Sequence, residues 1–137
     1  MTPSEPTSGQ LERSISQQLQ AFYREKIGQR PTKAICQIFD DSLVTVLEST
    51  IAPVEQTLLD AGQGELAQTL RSELHRILKP QLKTLVEEIT QVPVLSILMD
   101  SEFERGSSTV VAILASIPPV RDLEAIPKVR RPATPEK

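Results

Sequence analysis

Histidine and cysteine are almost missing from this chain of 137 residues: there is one of each, His75 and Cys36. A lone cysteine excludes an intrachain disulfide and any multi-cysteine metal centre, and it points to a reducing compartment rather than an extracellular disulfide scaffold. The short motifs of several common chemistries are absent as well. There is no P-loop, no dinucleotide-type glycine run, no HExxH and no GxSxG, which removes the enzyme classes that depend on those local geometries. No stretch approaches the roughly 20 apolar residues that a membrane-spanning helix needs, and the N-terminus lacks the basic-then-apolar order of a secretory signal. Positive charge is not in excess either. With a formal net charge of -3, the counterion-release term behind strong nucleic-acid binding is not expected.

What is present is a pattern that runs twice, a long amphipathic helix followed by two short apolar strands. Leu11, Ile15, Leu19 and Phe22 recur near helical spacing, and Gly28 and Pro31 stop that helix. The period then changes to two across 32–39 and 43–47, with Asp40, Asp41 and Ser42 as turn residues, which predicts a hairpin. Pro53 suits the first position of a short helix, although Ala52 before it lacks a capping oxygen. Beyond Gly62 and Gly64, a stripe of Leu66, Leu70, Leu74, Ile77, Leu78, Leu82, Leu85, Val86 and Ile89 predicts a long helix. Pro80 lacks the donor for the Arg76 carbonyl, so a kink or short break is expected near the middle. Segments 92–99 and 109–115 predict the second hairpin.

The expected fold class is α+β, a four-stranded, mainly antiparallel sheet built from two hairpins and covered by amphipathic helices. A hydrophobic fraction of 39% over 137 residues supports one core. The expected organisation is a flexible lead at 1–10, one domain at 11–117 and a flexible proline-rich tail at 118–137, with Leu123 or Ile126 as the one late contact to allow.

Few residues are equipped for chemistry. Arg24, Lys26, Arg30 and Lys33 form the densest basic interval, and Gly28 permits close backbone approach. Gly28, Arg30 and Lys33 are therefore the candidate ligand-binding residues for a small anion, set against a solvated helix end whose cations complement the helix dipole. A second basic group, Arg121, Lys128, Arg130 and Arg131, lies in the tail. Asp40 and Asp41, or Asp100, Glu102 and Glu104, could supply oxygen ligands only if the hairpin tips converge, and solvated turns are the ordinary alternative. Cys36 reads as a core thiol. His75, flanked by Arg71 and Lys79 one turn to either side, reads as a surface or helix-edge residue that is hard to protonate. No catalytic residue, metal site or cofactor is expected.

The order of elements and several motifs resemble the MpsC-like family, over about 11–115. The resemblance is carried by Gly28, Gln29, Arg30 and Pro31, by Val44 to Leu47, by Ala52, Pro53, Val54 and Glu55, by Leu70 and Arg71, and by Val94 to Asp100. The motif positions are Gly28, Arg30, Pro31, Pro53, Glu55, Arg71 and Asp100. The family commonly has threonine where this chain has Ala52, and often an aromatic near Ile113 or Leu114. The resemblance implies association with a sodium-translocating, membrane-potential-generating system and transfers no catalytic residue.

The function expected is that of a non-catalytic accessory or regulatory protein acting by homo- and hetero-oligomeric interaction. A homodimer is expected because the long helix has more apolar positions than one small sheet needs. The other expected partner is an unidentified protein, a membrane transport complex being the candidate, with the chain cytoplasmic and peripheral to the membrane through that partner. The alternatives are a small-anion or metabolite sensor and, more remotely, a small enzyme using Cys36, His75 and an acidic residue.

Overall fold

Thr7 sets the start of the first helix, α1 (Ser8–Lys26). Its hydroxyl accepts from the Gln10 N–H at 3.1 Å while the Gln10 side chain accepts from the Thr7 N–H at 2.9 Å, so two orphan donors of the first turn are satisfied reciprocally. The helix therefore begins three residues before Leu11. In the computed structural model, which describes residues 5–129, α1 buries Leu11, Ile15, Leu19, Phe22 and Tyr23. Its end is closed by the Ile27 and Gly28 N–H groups, both donating to the Tyr23 carbonyl, with Gly28 at φ +95°, where a side chain would be strained. Replacing Thr7 by alanine should cost about 1 kcal/mol of stability, read from a urea titration. An unchanged midpoint would assign the helix start to the Ser8–Asp122 hydrogen bonds, at 2.7 and 3.1 Å, instead.

Two hairpins follow. The first pairs β1 (Lys33–Phe39) with β2 (Ser42–Glu48) around a two-residue turn; the second pairs β3 (Val94–Glu102) with β4 (Ser107–Leu114). β4 also pairs antiparallel with β2, so the sheet order is β1-β2-β4-β3 and the expected α+β architecture is what the chain adopts. Between the hairpins lie α2 (Pro53–Asp60) and α3 (Gly64–Thr90). α1 packs on β1, α3 packs on β3, and the two helices touch each other. The inward residues of all four strands join them in one core: Cys36 and Ile38, Leu43 and Leu47, Val110, Ala112 and Leu114, and Met99. The helices cover one face of the sheet only.

Three expectations change. The inward face of α3 is Ala67, Arg71, His75, Leu78, Leu82 and Val86, while Leu66 and Ile77 of the expected stripe are about half exposed, at 52% and 51%. The stripe is rotated in its first half because a polar cluster, described below, occupies the core there. Of the kink or short break expected at Pro80, the break is absent, since α3 runs through it as one helix. The segment after β4 is docked as far as residue 129: the late contact allowed at Ile126 is made while Leu123 is exposed, Val120 is buried too, the Arg121 N–H donates to the Pro6 carbonyl, and the Asp40 N–H donates to the Pro127 carbonyl. Scattered prolines hide this segment from a periodicity argument but do not prevent single apolar anchors from reaching a core. Of the expected lead and tail, positions 1–4 and 130–137 lie outside the described residues.

Candidate functional site

The densest polar constellation sits inside the protein, at the end of the core where α2, α3 and the β3–β4 turn meet. Arg71 is 1% exposed and Glu55 is fully buried. Ala52 offers no cap to α2, and Glu55, in the first turn, substitutes by accepting from the Ala52 N–H at 2.8 Å. That fixes the carboxylate against α3. Arg71 Nε donates to Glu55 Oε2 at 2.6 Å, and Nη2 donates to Glu55 Oε1 and, at 2.6 Å, to the Thr50 carbonyl. Nη1 donates to Ser101 Oγ at 2.6 Å and reaches Ser108 Oγ at 3.4 Å. All five donors of the guanidinium thus have acceptors, the condition under which a buried ion pair is tolerated. The Phe103 ring lies 5.7 Å from the guanidinium carbon, a cation–π distance.

A chain of hydroxyls extends the cluster. Ser101 and Ser108 are 2.6 Å apart, Ser108 and Thr50 are 2.7 Å apart, and Thr50 Oγ1 donates to the Gly106 carbonyl at 3.2 Å. Gly106 holds φ +67° with Ile51 close by. Ser101 also lies 3.3 Å from His75 Nε2. Burial, then the Arg71 charge, push the His75 pKa down to about 4, with Lys79 adding to the depression and Asp100 and Glu55 opposing it. The imidazole is therefore neutral near pH 7, and His75 is buried rather than at the surface or helix edge as expected; the expected difficulty of protonating it beside Arg71 and Lys79 agrees. Tyr23 is fully buried, and its hydroxyl makes no hydrogen bond of regular geometry. Burial lifts its pKa to about 12, against the Arg71 charge and the nearby Ser108 hydroxyl.

This arrangement joins two helices, two strands and a turn through one cation. Chemically, Ser101 has a neutral imidazole beside it, but its oxygen accepts from Arg71 and shares a hydrogen bond with Ser108, so it is fastened into the network. A shallow depression of about 450 Å³ lies on the outer side of the β3–β4 turn, and its lining includes Gln29, Ser49, Gln56, Phe103 and Arg105.

The sequence-derived candidates lie elsewhere. Gly28 and Arg30 are exposed in the α1–β1 turn, where Gln29 is the residue that lines the depression. Lys33 is exposed and pairs at 3.9 Å with Glu48. Pro31 is buried, Pro53 and Asp100 are exposed, and among the motif positions it is Glu55 and Arg71 that the fold brings together. The acidic tips do not meet: Ser42 pairs with Ile113 and Glu48 with Ser107, which puts Asp40 and Asp41 at one end of the sheet and Glu102 and Glu104 at the other. Among the described residues no group of three His, Cys, Asp or Glu is placed to hold a metal ion.

Cys36 and His75 are also apart, one on β1 and the other facing β3, the two opposite edges of the sheet. Cys36 is buried, and desolvation, reinforced by Glu12 and opposed by the neighbouring Thr45 hydroxyl, raises its pKa to about 12. A disulfide reagent in mildly alkaline buffer should leave Cys36 unmodified until the protein is unfolded; rapid modification of the native chain would refute that reading of the thiol.

Thr50, Ser101 and Ser108 were not legible as a group, because a serine on an alternating strand, or a threonine in the connection after one, gives no sign of its partner. No curated protein and no solved structure matches the chain. One family profile does, over residues 7–116, its description being Na+-translocating membrane potential-generating system. That match spans α1 through β4 and includes both members of the buried ion pair, and with it the chain belongs to the MpsC family.

Proposed function

We propose that this protein is a non-catalytic accessory subunit of a sodium-translocating, membrane-potential-generating system, acting through its surfaces. The observation that carries the reading is the family match across the whole helix–sheet body. No helix among the described residues is long and apolar enough to cross a membrane, and the chain's part in such a system is one played beside a transporter. The internal polar residues support a structural role, since Arg71, Glu55, Thr50, Ser101 and Ser108 bond chiefly to one another. A cytoplasmic position fits the single, unpaired cysteine.

Native pull-down of the tagged chain from separated membrane and soluble fractions is the test. Recovery of an integral-membrane cation-transport subunit is expected; exclusive recovery of a soluble enzyme or transcription complex would reject the reading. A small-anion sensor is the second reading, favoured by the open backbone at Gly28, where the first carbon of a side chain would meet no atom within 4 Å. It predicts saturable calorimetric binding of phosphate or a carboxylate that is lost in the Arg30→Ala, Lys33→Ala double variant.

A further inference from the structure

The face of the sheet turned away from the helices is apolar at its centre and charged at one end. Strand alternation places Ile35, Val44, Val46, Val111, Ile113 and Leu98 on it, and the register aligns them: Ile35 with Val46, Val44 with Val111, Val111 with Leu98. Ile35 is 53% exposed, Val46 42% and Leu98 56%. At the end near the β3–β4 turn, the same face carries Lys33, Glu48 and Ser107 in one row with Glu102, and Asp100 one row further in. Contiguous exposed apolar patches of this kind mark interaction surfaces.

We propose that this face packs against the same face of a second copy, about a two-fold axis that runs along the strands. The proposal deepens the interaction reading above by naming a surface and its occupant. Its first support is area. Four strands of seven to nine residues, spaced about 4.8 Å apart with a rise of about 3.3 Å per residue, give a footprint of roughly 20 by 25 Å. Side-chain relief raises that toward the roughly 800 Å² per partner of a standard stable interface.

Its second support is charge. An axis across the strands would lay Lys33 of one copy on Phe39 of the other and Glu48 and Glu102 on Ser42 and Ser96, leaving the charges without ionic partners. An axis along the strands keeps charged end on charged end and apolar row on apolar row. It sets Val44 over the partner's Val111, and β1 over the partner's β3, so that Lys33 faces the partner's Glu102, with the partner's Asp100 one row further in, over Ile35. The contact is isologous and closes, and it has the geometry of an aligned sandwich.

Other occupants fit less well. Positions 130–137 contain no Val, Ile, Leu, Met or aromatic residue, and positions 1–4 contain one, Met1, so neither stretch can fill the patch. The β1 edge is closed to strand addition at the Ile38 N–H, which donates to Glu12 at 2.8 Å, and at the Asp40 N–H, which donates to Pro127.

Sedimentation analysis of the full chain is the experiment. A dimer is expected at micromolar concentration, and Val111→Asp, which introduces an unpaired charge at the centre of the contact, should weaken it by about 100-fold or more. Lys33→Glu and Glu102→Lys, both at exposed sites that leave the monomer folded by circular dichroism, should each weaken the dimer about tenfold, and together restore it to near wild type. A wild-type chain that stays monomeric to about 100 µM, a concentration at which an interface of standard size assembles, would overturn the proposal. So would a Val111→Asp dimer as tight as wild type, which would place pairing at the β3 edge or on α3, or a charge-reversed double variant as weak as its parents. A monomer that still recovers a transport subunit sinks this inference and leaves the accessory role standing. A dimer that recovers only soluble enzymes does the reverse.

Discussion

Replacing Arg71 by methionine should destabilise the fold by about 4 kcal/mol, in the range for removing one member of a buried, hydrogen-bonded ion pair. The loss comes less from the missing attraction than from what is left behind. Glu55, fully buried, would keep the Ala52 N–H as its remaining partner, and the Thr50 carbonyl and the Ser101 hydroxyl would each lose a short bond. Pairing Arg71→Met with Glu55→Leu removes both charges, and should recover part of the loss, because a buried pair replaced by apolar groups of similar volume is often neutral. Arg71→Lys should not rescue, since an ammonium cannot meet the planar set of acceptors around the guanidinium. Urea titrations of the four proteins read the result. A single-variant loss under about 1 kcal/mol would mean that water or a proton relieves Glu55, and that the network is not what joins α2 and α3.

The second large effect is on pH dependence. The His75 pKa is held down to about 4, against an ordinary value of 6.5. The unfolded chain therefore binds this proton more readily than the native one between those two values. Stability must fall as pH drops from about 6.5 to about 4, level off below that with respect to this group, and be fully present above it. The loss should be on the order of 2 kcal/mol, smaller than the full shift implies because His75 keeps 8% of its surface exposed. His75→Gln, which can still hydrogen-bond Ser101, should remove that part of the acid dependence, so the difference between wild type and variant isolates it from the carboxylates. As the chain's single histidine, His75 also gives a single set of imidazole resonances by NMR, expected to titrate near pH 4 in the native state. A native midpoint near 6.5 would show that the imidazole is solvated and that water enters the cluster.

Both effects come from residues that a sequence shows but does not connect. The hairpins were legible because a period of two and a run of acidic turn residues are local properties; the register of Cys36 opposite Thr45 and Ile38 opposite Leu43 follows once the turn is two residues long. The long helix was legible as a helix, yet not which way it faced. Leu66 and Ile77 satisfy the helical period as well as Ala67 and Arg71 do, and apolar residues alone point to the wrong stripe in the first half. An arginine on a predicted helix is assigned to solvent by default, and only a carboxylate from a different helix reverses that. Glu55 and Arg71 stood among the motif positions of the resemblance without a stated reason. The start of α1 was legible in principle, through Thr7 and Gln10, but was hidden by the prolines before it.

The chain by itself determined the element types, the two hairpins, the α+β class and the family, because each follows from spacing, turn chemistry or short motifs that lie within one segment. Tertiary structure alone decided that β4 rather than β3 lies against β2, that one face of the sheet is left bare, and that Arg71, Glu55, Thr50, Ser101, Ser108 and His75 share one buried cluster. Desolvation and hydrogen bonding between distant segments set those outcomes. Their sign depends on which groups arrive together in the same low-dielectric space, and sequence spacing carries no measure of that.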